Sequence, residues 1–354
     1  MFNVAIVGAT GAVGQELLEV LEQFQFPVKK LLPLASLRSL GEVVQFKGKE
    51  IPVQLLECDI FKKEEIDIAF FSAGGSVSAK FAPCAVEAGA VVIDNTSYFR
   101  MEPDVPLVVP EVNPEDIKLW RTRGIIANPN CSTIQMVLSL YPLHREFTIE
   151  RVDVATYQAV SGAGKKGMEE LMEQMRAIFN FNLDKKVEKR EVFPWQIALN
   201  VIPHIDRFME SDFTREELKM VNETNKIMHS QIEIAPTCVR VPVLRSHSEA
   251  ITIYCQQEVS VERAREVLSA FPDIKVVDDP AQNRYPMPTI ATGTDLVYVG
   301  RLRKDLFRPN VLHFFNVADQ LRVGAATNSV RIGLKWFEMG EYRYLPRFQK
   351  NRKR

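Results

Sequence analysis

Cys131 stands where a thiol can do chemistry. The stretch 124–136, GIIANPNCSTIQM, reads as a short strand, a proline turn and a helix that the cysteine opens. A helix N-terminus carries a positive potential that favours thiolate, the reactive form of the side chain. Asn128, Asn130, Ser132 and Thr133 surround this sulfur with polar groups. By contrast, Cys58, Cys84, Cys238 and Cys255 read as buried structural thiols. A nucleophilic sulfur needs an acid–base partner. Of the five histidines, His144 and His313 adjoin apolar residues and read as packing or surface positions, while His229 closes a helix. His204, in an IPHID loop, stays open as a candidate. His247 follows the strand TCVRVPVL, in a polar turn with Arg245, Ser246 and Ser248. On that strand Val239, Val241 and Val243 share one face, so Arg240 points to the other, where a charge reads as a ligand anchor.

A second constellation lies near the N-terminus. Residues 8–14, GATGAVG, come directly after the strand-like FNVAIVG and directly before a helix. Gly8, Gly11 and Gly14 permit a tight turn and close approach of backbone N–H groups to a pyrophosphate, so the loop Gly8, Thr10, Gly11, Ala12, Val13 and Gly14 reads as a dinucleotide cradle. The spacing is G-x-x-G-x-x-G rather than the commoner G-x-G-x-x-G, and a glycine triplet alone is only a strand–helix turn. Its place at the first strand of an alternating chain gives it meaning. At the end of the second strand stand Ser36, Leu37, Arg38 and Ser39, with no acid to meet a ribose 2′-hydroxyl. Arg38 can pair with a 2′-phosphate and Ser39 can hydrogen-bond it, which points to NADP. The plain alternative for Arg38 is a solvated surface arginine.

The elements that must hold these residues alternate in the first third of the chain. Strands in FNVAIVG, KKLLPLAS, IDIAFFSAGG, AVVIDNTS and GIIANPN are separated by helices at 15–26 and 77–89, as in a doubly wound parallel sheet. From about Thr148 the strands lengthen and alternate with period two (IERVDVATYQAV, TCVRVPVL, AITIYCQQEVS), between helices at 167–179 and 216–229. This texture predicts a second α+β domain with a mixed, largely antiparallel sheet. VLHFFNVADQ then leads into a small-residue helix, LRVGAATNSVRIGLKWF. The expected plan is an α/β chain: a Rossmann-type domain over 1–130 completed by a helix at about 317–338, a catalytic and dimerisation domain over 131–316, and a flexible basic tail at 347–354.

Composition sets outer bounds. A chain of 354 residues suits two domains, and 46% hydrophobic with 25% charged residues is ordinary for a globular protein. A net charge of −1 gives no reason to expect nucleic acid or an anionic membrane as partner. The five scattered cysteines have no metal-ligand spacing and predict reduced thiols in a cytoplasmic protein, with no metal. No apolar run approaches membrane-spanning length, and the first residues do not read as a signal peptide.

Taken together, GATGAVG, NPNCSTIQ, RVPVLRSH and SYFRMEPDVPLVVPEVN closely resemble the bacterial aspartate-semialdehyde dehydrogenases, as do YQAVSGAG, EELKMVNETNKIM and ADQLRVGAATNSV. The resemblance covers essentially the whole chain. It implies an NADPH-dependent reduction of L-4-aspartyl phosphate to L-aspartate 4-semialdehyde, with Cys131 as nucleophile and His247 as acid–base group. Arg240 matches the arginine that holds the substrate α-carboxylate, Glu216 the residue meeting its amino group, and Gln158 a further substrate contact. Arg100 and Lys219 match the pair that cradles phosphate. Ser161 and Gly162 match the loop beside the nicotinamide, and Gln320 a cofactor contact. The Cys131 N–H and the Asn130 side chain are candidate oxyanion donors. A homodimer is implied, serving synthesis of lysine, threonine, methionine and diaminopimelate. Simpler readings exist: Glu216 and Lys219 as an i,i+3 ion pair, Arg100 as a solvated loop residue, Gln158 as an exposed strand position. The rival functions are a sibling acyl-phosphate reductase acting on N-acetylglutamyl or glyceroyl phosphate, a non-catalytic NADP sensor, and a cysteine hydrolase.

Overall fold

The structure is a computed structural model that describes residues 1–181 and 191–350. The chain divides into two compact units: residues 1–130 together with the stretch from 325 onward, and residues 131–324. The first unit is built on strands β1 (Phe2–Val7), β2 (Val28–Ala35), β3 (Val43–Phe46), β4 (Lys49–Pro52), β5 (Gln54–Leu55), β6 (Ile68–Phe71), β7 (Val91–Asp94) and β8 (Ile125–Ala127). Six of them form one sheet in the order β5-β2-β1-β6-β7-β8, every pairing parallel, while β3 and β4 make a separate hairpin. This is the doubly wound order of dinucleotide-binding folds, reversing direction at β1. β1, β6 and β7 are buried at every residue, as strands covered on both faces must be. Helix α1 (Ala12–Gln23) turns Leu17, Leu18, Val20 and Leu21 inward. Helices α2 (Ile60–Lys63), α3 (Gly75–Glu87) and α4 (Trp120–Arg123) follow, and the chain leaves α3 through Gly89 at φ +96°. The C-terminal helix Asn328–Glu338 adds Val330, Ile332 and Trp336 to the same core.

Two expectations fail in this unit. Cys58 and Cys84 are not buried thiols; they are joined in a disulfide, Cys58 exposed and Cys84 half-buried. They lie 26 residues apart in sequence, a separation that carries no local signal. The stretch from Arg347 does not begin as a frayed end. Helix Pro346–Lys350 is docked: Arg347 donates to buried Asp67 at 2.7 Å, and the Phe348 ring meets those of Phe2 and Tyr342. A buried carboxylate and an aromatic cluster fix a segment whose composition suggested solvent. Residues 351–354 lie outside the described residues.

The second unit contains α5 (Cys131–Phe147), β9 (Ile149–Gln158), α6 (Gly164–Phe181), α7 (Arg215–Met228), β10 (Glu233–Arg240), β11 (His247–Cys255), α8 (Val261–Ala270), β12 (Ile274–Val276), α9 (Pro288–Ala291), β13 (Val297–Lys304) and β14 (Val311–Ala318). Its sheet runs β10-β9-β11-β14-β13-β12. β9 pairs antiparallel with β11, β11 with β14 and β14 with β13, whereas the outer pairs β10–β9 and β12–β13 are parallel. A capping box starts α7: the Thr214 hydroxyl accepts from the Glu217 N–H, and the Glu217 carboxylate from the Thr214 N–H.

Here too the chain departs from expectation at two places. The strand expected through TCVRVPVL stops at Arg240, because Pro242 has no N–H for a ladder and the chain turns through Ser246 at φ +77°. His247 therefore opens β11 rather than sitting in a turn. The helix expected from Leu321 begins as a π-helical segment, Arg322–Thr327, before α-helix resumes at Asn328. Asp319 sets this wide turn: its side chain accepts from the Leu321 N–H at 3.1 Å and its carbonyl from the Gly324 N–H at 3.4 Å. Residues 317–324 accordingly belong to the second unit, not to the helix that completes the first.

Candidate active site

The nucleotide turn is made of backbone. Gly8 leaves β1 at φ +90° and donates to the Leu34 carbonyl at 2.8 Å; a Cβ there would lie 3.1 Å from Ala73. A Cβ on Gly14 would lie 2.2 Å from the Gly8 carbonyl, so only glycine lets α1 start directly against the turn. Gly11 is the N-cap of α1 without a side-chain hydrogen bond, and the first turn has no acid. The amide ends there thus suit a pyrophosphate, with no carboxylate to repel it. Thr10, Gly11, Ala12 and Val13 are all at least partly exposed. Beyond β2, Arg38 is exposed on a short 3-10 turn, and Ser39 is tied back to Thr10 by a 3.1 Å hydroxyl contact. In the same unit Arg100 is buried, not solvated. It donates to the carbonyls of Asn128 at 2.9 Å and Asn95 at 2.8 Å, bracing the turn that precedes Cys131 in sequence. Asn130 is buried at the end of that turn.

The second unit gathers side chains from many elements. Cys131 is the first residue of α5 and half-exposed, whereas Cys238 and Cys255 are buried. Burial pushes the Cys238 thiol far up and that of Cys255 up to about 12, which leaves both inert. Gly324 lies against Cys131: a Cβ there would stand 2.6 Å from the Cys131 Cβ. His247 is wholly buried. Its Nδ1 accepts from the Ala159 N–H at 3.0 Å, so the neutral ring carries its proton on Nε2, which has no hydrogen-bond partner among the described residues. Burial, and next the Arg240 charge, pull its pKa down to about 3, against a smaller opposing pull from Glu216. Gly162 explains how imidazole and guanidinium fit side by side: a Cβ there would lie 2.9 Å from Arg240 Nη1 and 3.3 Å from His247 Nε2.

Arg240 is buried, and among the described residues its guanidinium makes one hydrogen bond, Nη1 to the Ala159 carbonyl at 2.7 Å. Burial lowers its pKa, while Glu216 and Cys131 oppose that shift. A Cys131 thiolate and this guanidinium therefore stabilise one another. The Phe193 ring lies 5.9 Å from the guanidinium. Glu216 and Lys219 do form the i,i+3 ion pair at 2.9 Å, yet the pair is part of a larger network. Gln158, buried, donates to Glu216 Oε1 at 3.1 Å, and Lys219 also reaches Asp206 at 2.9 Å. Burial works against the Lys219 charge, but Glu216 and Asp206 outweigh it and raise the pKa, so the ammonium persists. Gln320 links Ser161, whose hydroxyl its Nε2 meets, to the Ser246 N–H, which its Oε1 accepts at 2.8 Å.

The other histidines are engaged elsewhere. His144 accepts from the Ile149 N–H, His229 caps α7, and His313 lies between Thr252 and Asp305. His204 stacks on Phe208 with ring centroids 4.4 Å apart. Sequence reasoning missed Asp319, Phe193 and the contact of Gly324 with Cys131. A glycine and an acid flanking Gln320 were the only signals available.

A parallel sheet with a glycine turn at its first strand, in a chain whose other unit presents a half-exposed thiol, a buried imidazole and a buried guanidinium, defines a nicotinamide-dependent dehydrogenase of the two-domain kind. Residues 3–120 match the family described as "Semialdehyde dehydrogenase, NAD binding domain", and residues 140–323 match "Semialdehyde dehydrogenase, dimerisation domain". The chain belongs to the aspartate-semialdehyde dehydrogenase family. It is 60% identical to the aspartate-semialdehyde dehydrogenase of Campylobacter jejuni, across 95% of this chain and 98% of that protein. The crystal structure of Vibrio cholerae aspartate semialdehyde dehydrogenase II complexed with ASA superposes with a TM-score of 0.91 at 47% identity, covering 96% of this chain and 98% of that one. The Candida albicans enzyme with NADP gives a TM-score of 0.70 at 26% identity, covering 94% of this chain and 98% of that one. Among the described residues no helix is long and apolar enough to cross a membrane.

Proposed function

We propose that the chain reduces L-4-aspartyl phosphate to L-aspartate 4-semialdehyde with NADPH, through a thioester on Cys131. The observation that carries this reading is the half-exposed thiol at the head of α5 in the same unit as a buried imidazole whose Nε2–H has no partner. The Cys131 thiolate, favoured by the helix terminus and by Arg240, attacks the acyl carbon; the C–O bond to phosphate breaks and phosphate leaves with its electron pair. Gly8, Thr10, Gly11, Ala12, Val13 and Gly14 would hold the pyrophosphate of NADP, Arg38 and Ser39 would meet its 2′-phosphate, and Ser161, Gly162 and Gln320 would meet its nicotinamide end. NADPH, when bound, supplies the hydride that reduces the thioester. His247 then donates a hydrogen bond from Nε2 to the hemithioacetal oxygen, and collapse of that adduct returns thiolate and releases aldehyde. Its Nδ1 bond to Ala159 and its depressed pKa support a donor rather than a proton-abstracting base. The Cys131 N–H and Asn130 are further donors to the same oxygen.

Arg240 takes the substrate α-carboxylate on the edge of its fork not bonded to Ala159. Glu216, held by Gln158, receives the α-amino group, and Arg100 with Lys219 neutralises the departing phosphate. We further infer a cytoplasmic homodimer. Half-exposed alternate residues on the second sheet (Ala155, Ala250, Thr252 and Phe315, with exposed Tyr157) support a dimer face. A test in the reverse direction measures phosphate-dependent NADP reduction with aspartate 4-semialdehyde and with N-acetylglutamate 5-semialdehyde. Turnover of the first is expected, and preference for the second would overturn the substrate assignment.

A further inference from the structure

Glu249 is a carboxyl group in the interior that the chemistry above does not use. It lies on β11 two residues after His247, on the same face, paired in register with Asn316 of β14 and Thr156 of β9. It is completely buried, and among the described residues neither carboxyl oxygen has a hydrogen-bond partner. Burial drives its pKa well above the ordinary carboxylate value, against smaller opposing pulls from the amides of Asn316 and Gln135. Gln135, also completely buried, joins the two arms of the active site. It follows Cys131 by one turn of α5, and its Nε2 donates to the His247 carbonyl at 3.3 Å and to Asn316 Oδ1 at 2.9 Å. Asn316 answers through Nδ2, donating to the Gln135 carbonyl at 3.2 Å and to Ser139 Oγ at 3.1 Å. Both donors of Asn316 and Gln135 are thus committed elsewhere. Among the described residues, Gln135 Oε1 is left as a buried acceptor without a donor, and no cation pairs with Glu249.

One proton resolves both orphans. A neutral Glu249 carries an O–H that Gln135 Oε1 can accept, and it buries no charge. We propose that Glu249 is a positioning residue for the reaction, a neutral carboxylic acid that bonds Gln135 and thereby fixes Cys131 on α5 relative to His247 on β11. This rests on the roles of Cys131 and His247 given above. The carboxyl does not touch substrate; it acts through Gln135.

The test compares Glu249→Gln and Glu249→Leu with the wild type in kcat, KM and the pH dependence of Cys131 alkylation by iodoacetamide. The Gln variant keeps a donor and should hold kcat within about threefold with an unchanged alkylation profile. The Leu variant should lose at least about tenfold in kcat, with a displaced profile and KM for NADP within about twofold, as a small misplacement of reacting groups costs. Unchanged kcat in folded Leu variant reduces Glu249 to packing, and a Gln variant as impaired as Leu shows that a carboxylate charge is needed; either overturns the proposal. Should the Leu variant not fold, infrared difference spectra of wild type against the Gln variant decide. A protonated-carboxyl band at neutral pH supports the proposal, and its absence overturns it. Failure of the catalytic assignment shows separately, as persistent turnover in Cys131→Ala with the infrared band intact.

Discussion

The glycine turn of one unit and the side-chain cluster of the other are built from different materials. The nucleotide turn of the first unit is backbone: seven consecutive residues whose glycines let α1 start against β1. The centre of the second unit is side chains, contributed by α5, β9, the turn after β9, α7, β10, β11 and the loop after β14. The first needs the absence of Cβ atoms; the second needs particular functional groups held at particular separations by elements far apart in sequence. Glycine appears in both, but at Gly162 and Gly324 it makes room for neighbouring side chains, whereas at Gly14 it makes room for the backbone of the turn. Substitutions should therefore act differently in the two places.

The largest effect is expected at Arg240. Arg240→Lys keeps charge but loses the fork, and kcat/KM for the amino-acid substrate should fall by about 2–4 kcal/mol equivalent, with NADP binding little changed. Steady-state kinetics check this; an equal loss of NADP affinity would erase the division between the two materials. Next come paired glycine substitutions. Gly324→Ala drives a Cβ to 2.6 Å from Cys131 and should cost about 1–3 kcal/mol, read as slower Cys131 alkylation and lower kcat. Gly14→Ala, with its Cβ 2.2 Å from the Gly8 carbonyl, should instead weaken NADP binding and leave alkylation of the folded protein unchanged. A reversal of these readouts would break the comparison. Arg38→Ala should weaken NADP by about tenfold while leaving NAD nearly unaffected, measured by fluorescence titration, because only the 2′-phosphate contact is removed.

The smallest effect concerns stability. His247 has a folded pKa near 3 against an ordinary value of 6.5, so below 6.5 the unfolded chain gains a proton that the folded chain refuses. Stability contributed by the neutral ring is complete above 6.5 and is lost as pH falls towards the folded pKa. Over the first unit below 6.5 this loss should be about 1 kcal/mol, visible as a difference between the urea-unfolding curves of wild type and His247→Gln. Parallel curves would contradict the buried neutral imidazole.

The same contrast decides what was legible in the sequence. The glycine turn, Arg38 and the placement of Cys131 at a helix start are local, and strand–turn–helix order reveals them. Arg240 could be set opposite the valines by alternation alone, and the structure puts it with Cys238 on the buried side of β10. The alternation in VRVPVL imitates a strand beyond Arg240, yet a proline and a positive-φ serine end the ladder there. The Cys58–Cys84 bridge, the fit of Gly324 against Cys131 and the pull of the Gln135 amide on Glu249 are relations through space. No periodicity or spacing announces them. Arg347 misled for a related reason: its partner, Asp67, is 280 residues away.

The thioester itself can be caught by mixing the protein with NADP and aspartate 4-semialdehyde in the absence of phosphate, with rapid quenching and peptide mass analysis. The account predicts a burst of NADPH stoichiometric with active subunits and an aspartyl adduct on the peptide carrying Cys131. Hydride transfer without an adduct, or an adduct on Cys238 or Cys255 in its place, would contradict it.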